Sequence, residues 1–390
     1  MTASPMRGAV AAVGIGETPY YKRGRSPDAE RKLCIRAIDA ACADAGIDPR
    51  DVDGFSSYGL DNNPGTELVG DLGTRELRWS TEIWGGGGGG SAAAIAAGAA
   101  AIVTGQAEVV AVYRCVAENA SGRLGAAVVA GHYGNHYTVH GMESVVQNLA
   151  IRTQRMIEFD GVAPSAIRAV VQASYHHARN NPRAVGKDMV LDDATYDSAR
   201  FIAEPYRLFD CSRENDGAAA ILLVSAERAR DLAQTPAYLL AATWGAGPRW
   251  GALDENHDPL SGGGFRDVAR RLWSVSGYGP KDVDVAQVYC NFSGPAVAAL
   301  IDHGFCTARE TAEKLTLENL IAPDGWLPIN TGGGDLAEGF MHGMGNTLES
   351  VRQIRGQSPN QVRNPQLSLL IGGPSAALVS SALFGSAETL

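Results

Sequence analysis

The sequence predicts an α/β protein made of two similar halves packed face to face, and three observations carry that reading. The first is a long-range repeat. Ala45-Gly-Ile-Asp-Pro-Arg-Asp-Val-Asp53 precedes the apolar stretch Gly54–Tyr58, and Ser276-Gly-Tyr-Gly-Pro-Lys-Asp-Val-Asp284 precedes Val285–Tyr289. In both copies an amphipathic helix leads through this loop into a short strand, a glycine-rich helix start and a buried strand (Val109–Tyr113 and Leu367–Ile371). A repeated strand-helix unit implies two α/β layers sharing one architecture. The second observation is a pair of glycine clusters, Gly85–Gly90 ahead of Ser91–Thr104 and Gly332–Gly334 ahead of Asp335–His342. The third is length: 390 residues suffice for about two domain-sized units.

The elements follow in chain order. Gly8–Ile15 is a short apolar run, read as a first buried strand because it comes too early and ends too soon for a secretory leader. Arg31–Ala45 places Leu33, Cys34, Ala37, Ile38, Ala41 and Ala45 on one helical face. The segment after Gly90 is alanine-rich and predicts a helix. Its low-polarity core, Ala92–Val103, is shorter than the roughly 20 residues a bilayer requires, so no membrane span is expected. Backbone N–H groups at a glycine-rich helix start, with the positive dipole end, suit an oxyanion, phosphate or thioester carbonyl.

An insertion of different character runs from about 117 to 205. Val145–Ile157 and Pro164–His177 are helical by period, and Asn180–Ala184 is a turn. Insertions of this size on an α/β frame usually carry substrate-binding surface. Asp210–Val224 closes the first half with a turn and a buried strand, which divides the chain into halves 1–235 and 236–390. Gly332–His342 should then start the second glycine-fed helix.

Composition excludes some functions. Hydrophobic residues make up 45% and charged residues 19%, as in a soluble globular protein, and a cytoplasmic location is expected. A net charge of −10 without a Lys/Arg cluster disfavours a nucleic-acid partner. The six cysteines form no Cys-x-x-Cys pair and the eight histidines show no metal spacing beyond the neighbours His176 and His177. Reduced, mostly buried thiols and no metal site are expected.

Val13-Gly-Ile-Gly-Glu-Thr-Pro19, Asn215-Asp-Gly-Ala-Ala-Ala220, Asp302-His-Gly-Phe-Cys306 and the stretch from Asn330-Thr-Gly-Gly-Gly334 to Gly356 together resemble the thiolase superfamily. The likeness spans nearly the whole chain and falls in its lipid-transfer-protein and sterol-carrier-protein-X-like branch. It implies the thiolase fold: two βαβαβαββ halves, a five-layer αβαβα arrangement and a tight homodimer. The catalytic groups of that family are absent here. Its nucleophilic Cys aligns with Gly88, its Asn or His with Tyr289, its Gly-His-Pro histidine with Phe340, and its second Cys with Leu370. Without the thiols neither an acyl-enzyme nor the usual proton donor can form, so thiolysis and Claisen condensation by that route are excluded.

The pattern is similar to the thiolase-like aldolases of bacterial steroid side-chain degradation, which lack both cysteines and place a Tyr where Tyr289 lies. Their C-terminal Tyr-x-His-Gly reads Phe340-Met-His-Gly343 here, so one phenol is missing and His342 is the nearest replacement. The resemblance implies retro-aldol cleavage of a β-hydroxyacyl-CoA, with no bound cofactor, CoA thioester as substrate, and Tyr289 and His342 as proton carriers. A phenol with a reference pKa of about 10 serves as base only if its surroundings lower that value. Gly88, Asn291, Phe340 and Gly372 would line the pocket. A small zinc-ribbon and OB-fold protein is the implied partner, in a heterotetramer and in some cases with a hydratase; the only metal would be the partner's. Two alternatives remain at this point. One is a non-catalytic acyl-CoA or lipid binder or scaffold subunit; the weaker is an acyltransferase using Cys290 or Cys115.

Overall fold

The structure, a computed structural model, describes residues 4–59, 61–84, 87–117, 138–247, 264–373 and 378–390. Nine strands form its framework: β1 (Val10–Glu17), β2 (Gly54–Tyr58), β3 (Trp79–Ile83), β4 (Val110–Val116), β5 (Asn215–Ser225), β6 (Ala237–Gly245), β7 (Val285–Val288), β8 (Leu367–Gly372) and β9 (Val379–Gly385). In the first half the lateral order is β3-β2-β4-β5-β1. The strand β2 runs parallel to β3 and β4, while β5 runs antiparallel to β4 and β1. The second half repeats this order. A parallel bridge from Ile329 to Ala286 stands where β3 stood, followed by β7, β8, β9 and β6 with the same directions. The duplication read from the loops is thus a duplication of topology.

The halves also join at an edge. Ala11 and Ala12 of β1 pair antiparallel with Tyr238 and Ala237 of β6, so the two sheets are continuous through this seam. Two helices fill the space between them: α1 (Ser91–Val103), which packs on β2, β4 and β5 and also on β6 and β9, and α2 (Met344–Arg355), which packs on β7 and β8 and on β5. Glu30–Ala45 covers the outer face of the first sheet and Phe265–Ser276 that of the second, giving the five layers. Alanine explains the central layer. It has the highest helix propensity and the smallest side chain that keeps it, so α1 can be buried against sheets on both sides. The strands β4 and β8 are buried on both faces, which is why they read as unbroken apolar runs; β3 alternates half-buried and exposed positions, as an edge strand does.

One expectation is corrected. Gly332–His342 does not start the counterpart of α1: it holds a four-residue helix, Gly334–Ala337, and then a turn. The long helix begins after Gly343, whose φ of 82° makes it a left-handed N-cap. Gly333 and Gly334 also take positive φ (112° and 59°), so the chain bends as it enters this single short turn of helix. The inserted helices appear as expected at Val145–Arg155 and Pro164–Ala178; Gly85, Gly86 and residues 118–137 of the insertion lie outside the described residues.

Candidate active site

The turn before α1 and the end of β7 meet at the top of the central layer. A Cβ on Gly88 would stand 2.4–2.6 Å from Cε2, Cζ and Cδ2 of Tyr289. The phenol ring therefore fills the space that a side chain at residue 88 would need. Tyr289 is placed by its own N–H, which donates to the Ile371 carbonyl at 2.8 Å and extends the β7–β8 pairing by one residue. Gly372 closes the back of this turn, its Cβ position only 2.7 Å from the Gly88 carbonyl and 2.3 Å from Ser91 Oγ. Leu370 lies in β8 with its buried side chain in the same apolar cluster as Met344 and Leu348.

The surroundings of Tyr289 do not lower its pKa. Burial, and next the charge of Asp335, push the phenol well above 10, against a smaller opposite pull from the Gly88 N–H. Tyr289 is 2% exposed and rests as the neutral phenol. The condition that the sequence set for a resident phenolate is not met.

His342 sits at the turn before α2 with a φ of 49°, a conformation unusual for a residue bearing a Cβ. Its ring meets Phe340 edge-on with centroids 4.8 Å apart, and Phe340 lies 6.4 Å from the Tyr289 ring, so the three rings form one cluster. Arg114 Nε donates to His342 Nδ1 at 3.1 Å. Arg114 in turn is held by Asp61 Oδ2 at 2.9 Å and by the Gly59 carbonyl at 3.1 Å, and Tyr58 donates its hydroxyl to the His342 carbonyl at 3.0 Å. Burial, with the Arg114 charge second, holds His342 well below its usual 6.5, so it is neutral. The Cβ position of Gly87 is 4.0 Å from His342 Nε2, which turns that nitrogen toward the glycine turn.

Three charged residues escaped the sequence reading. Asp335 is buried. Its carboxylate accepts from the N–H groups of Gly343 (3.0 Å) and Cys290 (3.3 Å) and from Asn346 (3.4 Å), tying the segment after β7 to the turn before α2. Burial raises its pKa to about 7. Its signal was present as the acid inside Gly332-Gly-Gly-Asp335. Arg114 was equally visible as the lone charge in an apolar strand, whereas nothing local to Asp61 marked it as that arginine's buried partner. Asn291 is buried, but its side chain turns back to the Phe292 N–H (3.0 Å), and no described contact links it to Tyr289 or His342.

The same geometry weighs the alternatives. Burial pushes the thiols of Cys115 and Cys290 far above the usual cysteine value, so neither supplies a thiolate for acyl transfer. Five polar side chains, Tyr289, His342, Arg114, Asp61 and Asp335, are buried together, which is not the composition of a decayed apolar pocket. Among the described residues no group of His, Cys, Asp and Glu has the arrangement to hold a metal, and no helix is long and apolar enough to cross a membrane. A surface groove of about 530 Å³, lined by Met156, Arg266, Asp302, Phe305 and Cys306 among others, is elsewhere and includes none of the cluster.

Residues 249–383 match the family model for the thiolase C-terminal domain-like fold. The chain is 36% identical to the 17-hydroxy-3-oxo-4-pregnene-20-carboxyl-CoA lyase of Mycobacterium tuberculosis, over 96% of this chain and 99% of that protein. It is 33% identical to a steroid side-chain-cleaving aldolase of Thermomonospora curvata, over 97% and 99%. Among solved structures, the Ltp2-ChsH2(DUF35) aldolase superimposes with a TM-score of 0.92 at 31% identity, covering 99% of this chain and 100% of that one.

Proposed function

Because this chain belongs to the thiolase superfamily, in the branch that holds the steroid side-chain aldolases, we propose that it is a carbon–carbon lyase performing retro-aldol cleavage of a β-hydroxyacyl-CoA. The observation that carries the reading is the Tyr289 ring in the space above Gly88: the acylating thiol has been exchanged for a phenol, and retro-aldol chemistry needs a proton carrier but no nucleophile. The substrate is a CoA thioester with a bulky carbon skeleton, a steroid or a related ring system. The name of the mycobacterial relative attaches a hydroxyl to carbon 17 and the thioester's carboxyl carbon to carbon 20, so carbon 20 is the α carbon and that hydroxyl is β to the thioester.

The proton leaves the β-hydroxyl, the Cα–Cβ bond breaks to give a ketone, and its electron pair passes into the thioester as an enolate that is then protonated at Cα. Tyr289 stands at the reacting hydroxyl. A phenol whose pKa lies well above 10 already carries its proton, so it accepts the β-hydroxyl proton only in concert with passing its own to a second group, and the reverse relay supplies the proton to Cα. Asp335, titrating near 7 and close enough to act on Tyr289 through its charge, is the second proton-transfer group in this reading, since Phe340 offers none. His342 holds the enolate from the other side. Gly88, Phe340 and Gly372 shape the floor, while Asn291 stands at its margin.

The assembly follows the same line of reading. The halves are 1–235 and 236–390. A homodimer is supported by the half-open edge strand β3 and by Trp84 beside it, which is 79% exposed. A small zinc-ribbon and OB-fold protein completes a heterotetramer, in line with the ChsH2(DUF35) component of the similar structure, and a hydratase acts next to it; the location is cytoplasmic. The test is Tyr289→Phe assayed with the partner present. Loss of a proton carrier lowers turnover by roughly 10²- to 10⁴-fold, while binding of the CoA ester persists. Parent-like ketone release by Tyr289→Phe overturns the assignment of Tyr289. A parent that never cleaves a β-hydroxyacyl-CoA supports the non-catalytic binder.

A further inference from the structure

We infer that Arg114, braced by Asp61, is a positioning residue that fixes His342 as the neutral Nε2–H tautomer, so that this histidine works as a hydrogen-bond donor to the developing enolate oxygen and not as a proton shuttle. The inference rests on the retro-aldol reading for the identity of the oxygen, but its first test does not.

The argument starts from what each atom is able to do. A guanidinium has five N–H donors and no acceptor, and it stays protonated in proteins. Arg114 Nε at 3.1 Å from His342 Nδ1 must therefore donate, and Nδ1 must present a lone pair. A single ring proton then resides on Nε2. A second proton on Nδ1 would set an imidazolium against the guanidinium in a site where Arg114 and His342 are both nearly closed to water, which is consistent with the depressed basicity of this ring. Asp61 fixes the guanidinium in turn. It binds Nη1 at 2.9 Å and also accepts the Cys115 N–H at 2.8 Å, and Nη1 reaches the Cys115 carbonyl as well, so the guanidinium is anchored to the frame of β4.

The other half of the device is the backbone of His342. Its left-handed φ of 49°, with the carbonyl held by the Tyr58 hydroxyl at 3.0 Å, aims the ring so that Nε2 looks toward Gly87. The groups around the residue are Arg114 from β4, Phe340 from its own turn and the glycine turn ahead of α1 at the ring, and Tyr58 from β2 at its carbonyl. Among the described residues none of these groups accepts a hydrogen bond from Nε2, which leaves that N–H to a substrate atom. A preorganised neutral donor pays no reorganisation at the moment charge develops on the oxygen, and the Gly87–Gly90 turn approaches the same place. A tautomer-locked neutral imidazole acting as electrophile is a known solution to this problem in other folds.

The first experiment reads the tautomer directly, without substrate. In protein labelled with ¹⁵N-histidine, the resonances of His342 are assigned by their loss in His342→Gln. The expected result is an unprotonated Nδ1, a protonated Nε2 and no titration between about pH 5.5 and 8.5. The paired change Asp61→Asn/Arg114→Gln, which removes both charges together, should release the lock and give mixed tautomers. The second experiment separates donor from shuttle by rescue. Glutamine carries an N–H donor but cannot shuttle a proton at neutral pH, so His342→Gln should keep kcat within about tenfold of the parent while His342→Ala loses about 10²- to 10³-fold, as for removal of one oxyanion donor. A proton on Nδ1, a ring titrating near 6.5, or equal loss in the Gln and Ala variants overturns the inference. If the parent cleaves no β-hydroxyacyl-CoA but the tautomer pattern is as stated, the failure belongs to the retro-aldol reading and the Arg114 lock stands.

Discussion

The overlap of residue 88 with the Tyr289 ring makes Gly88→Ala the sharpest test of the site. The added methyl would lie 2.4 Å from Cε2, 2.5 Å from Cζ and 2.6 Å from Cδ2. Ordinary carbon–carbon contact is about 3.5–4.0 Å, so the ring must retreat by about 1 Å. It has little room to do so. The phenol is buried, and Gly343 and Phe340 stand behind it, the former with its own Cβ position 3.2 Å from Tyr289 Cδ2. Overpacking of this kind costs about 1–3 kcal/mol, and a 1 Å displacement of a reacting group costs on the order of 10²-fold in rate. The backbone at Gly88 is not in the left-handed region, so the penalty comes from the ring and not from φ. That origin is checked by a double-mutant cycle in urea denaturation. Tyr289→Ala alone should cost about 3–5 kcal/mol by leaving a cavity. Gly88→Ala/Tyr289→Ala should cost less than the sum of the singles by about 1–2 kcal/mol, because the methyl then enters empty space. Ketone release should fall in Gly88→Ala, and Gly88→Cys should show no thiolysis. Wild-type turnover in Gly88→Ala, or additive singles, would refute the claim that the phenol occupies the vacated thiol site.

Two further outcomes follow from titration and burial. Asp335 rises to about 7 in the folded chain from an unfolded value of about 3.9, so between those values the native state holds a proton that the unfolded state has released. Stability should therefore decline as pH rises from about 4 to 7 and level off above, and Asp335→Asn should flatten that limb when denaturation midpoints are followed across pH. Iodoacetamide should leave activity largely intact, because Cys34, Cys42, Cys115, Cys290 and Cys306 are buried and burial pushes even the half-exposed Cys211 to about 12; rapid inactivation mapped to Cys290 and blocked by acyl-CoA would restore the acyltransferase reading.

Much of the frame could be read from the chain because its signals are local. The stripe from Leu33 to Ala45, the apolar runs of β4 and β8 and the two matching loops each declare an element within about a dozen residues. The loss of both thiols was legible for the same reason. Glycine was the misleading signal: Gly332–Gly334 and Gly85–Gly90 look alike, but the first opens only a four-residue helix while residues 87–90 lead into the long helix α1, and only the neighbours decide which. Arg114 shows the deeper limit. A charge in an apolar strand announces that a partner exists, yet the partner ring is 228 residues away in sequence. The raised pKa of Tyr289 was likewise out of reach, since it depends on burial and on an aspartate brought in by a different loop.

The seam between β1 and β6 has a consequence for how the chain becomes an enzyme. Tyr58, Asp61, Gly88 and Arg114 come from the first half, and Tyr289, Asp335 and His342 from the second. Each half repeats the other's topology, but neither carries the whole cluster. During synthesis the first half emerges with its arginine and its glycine turn facing nothing. Only when the second sheet has docked along Ala11 and Ala12 does the histidine reach the guanidinium and the phenol cover the turn. On the proposed assignment of these groups, catalytic competence is a property of closure, acquired last.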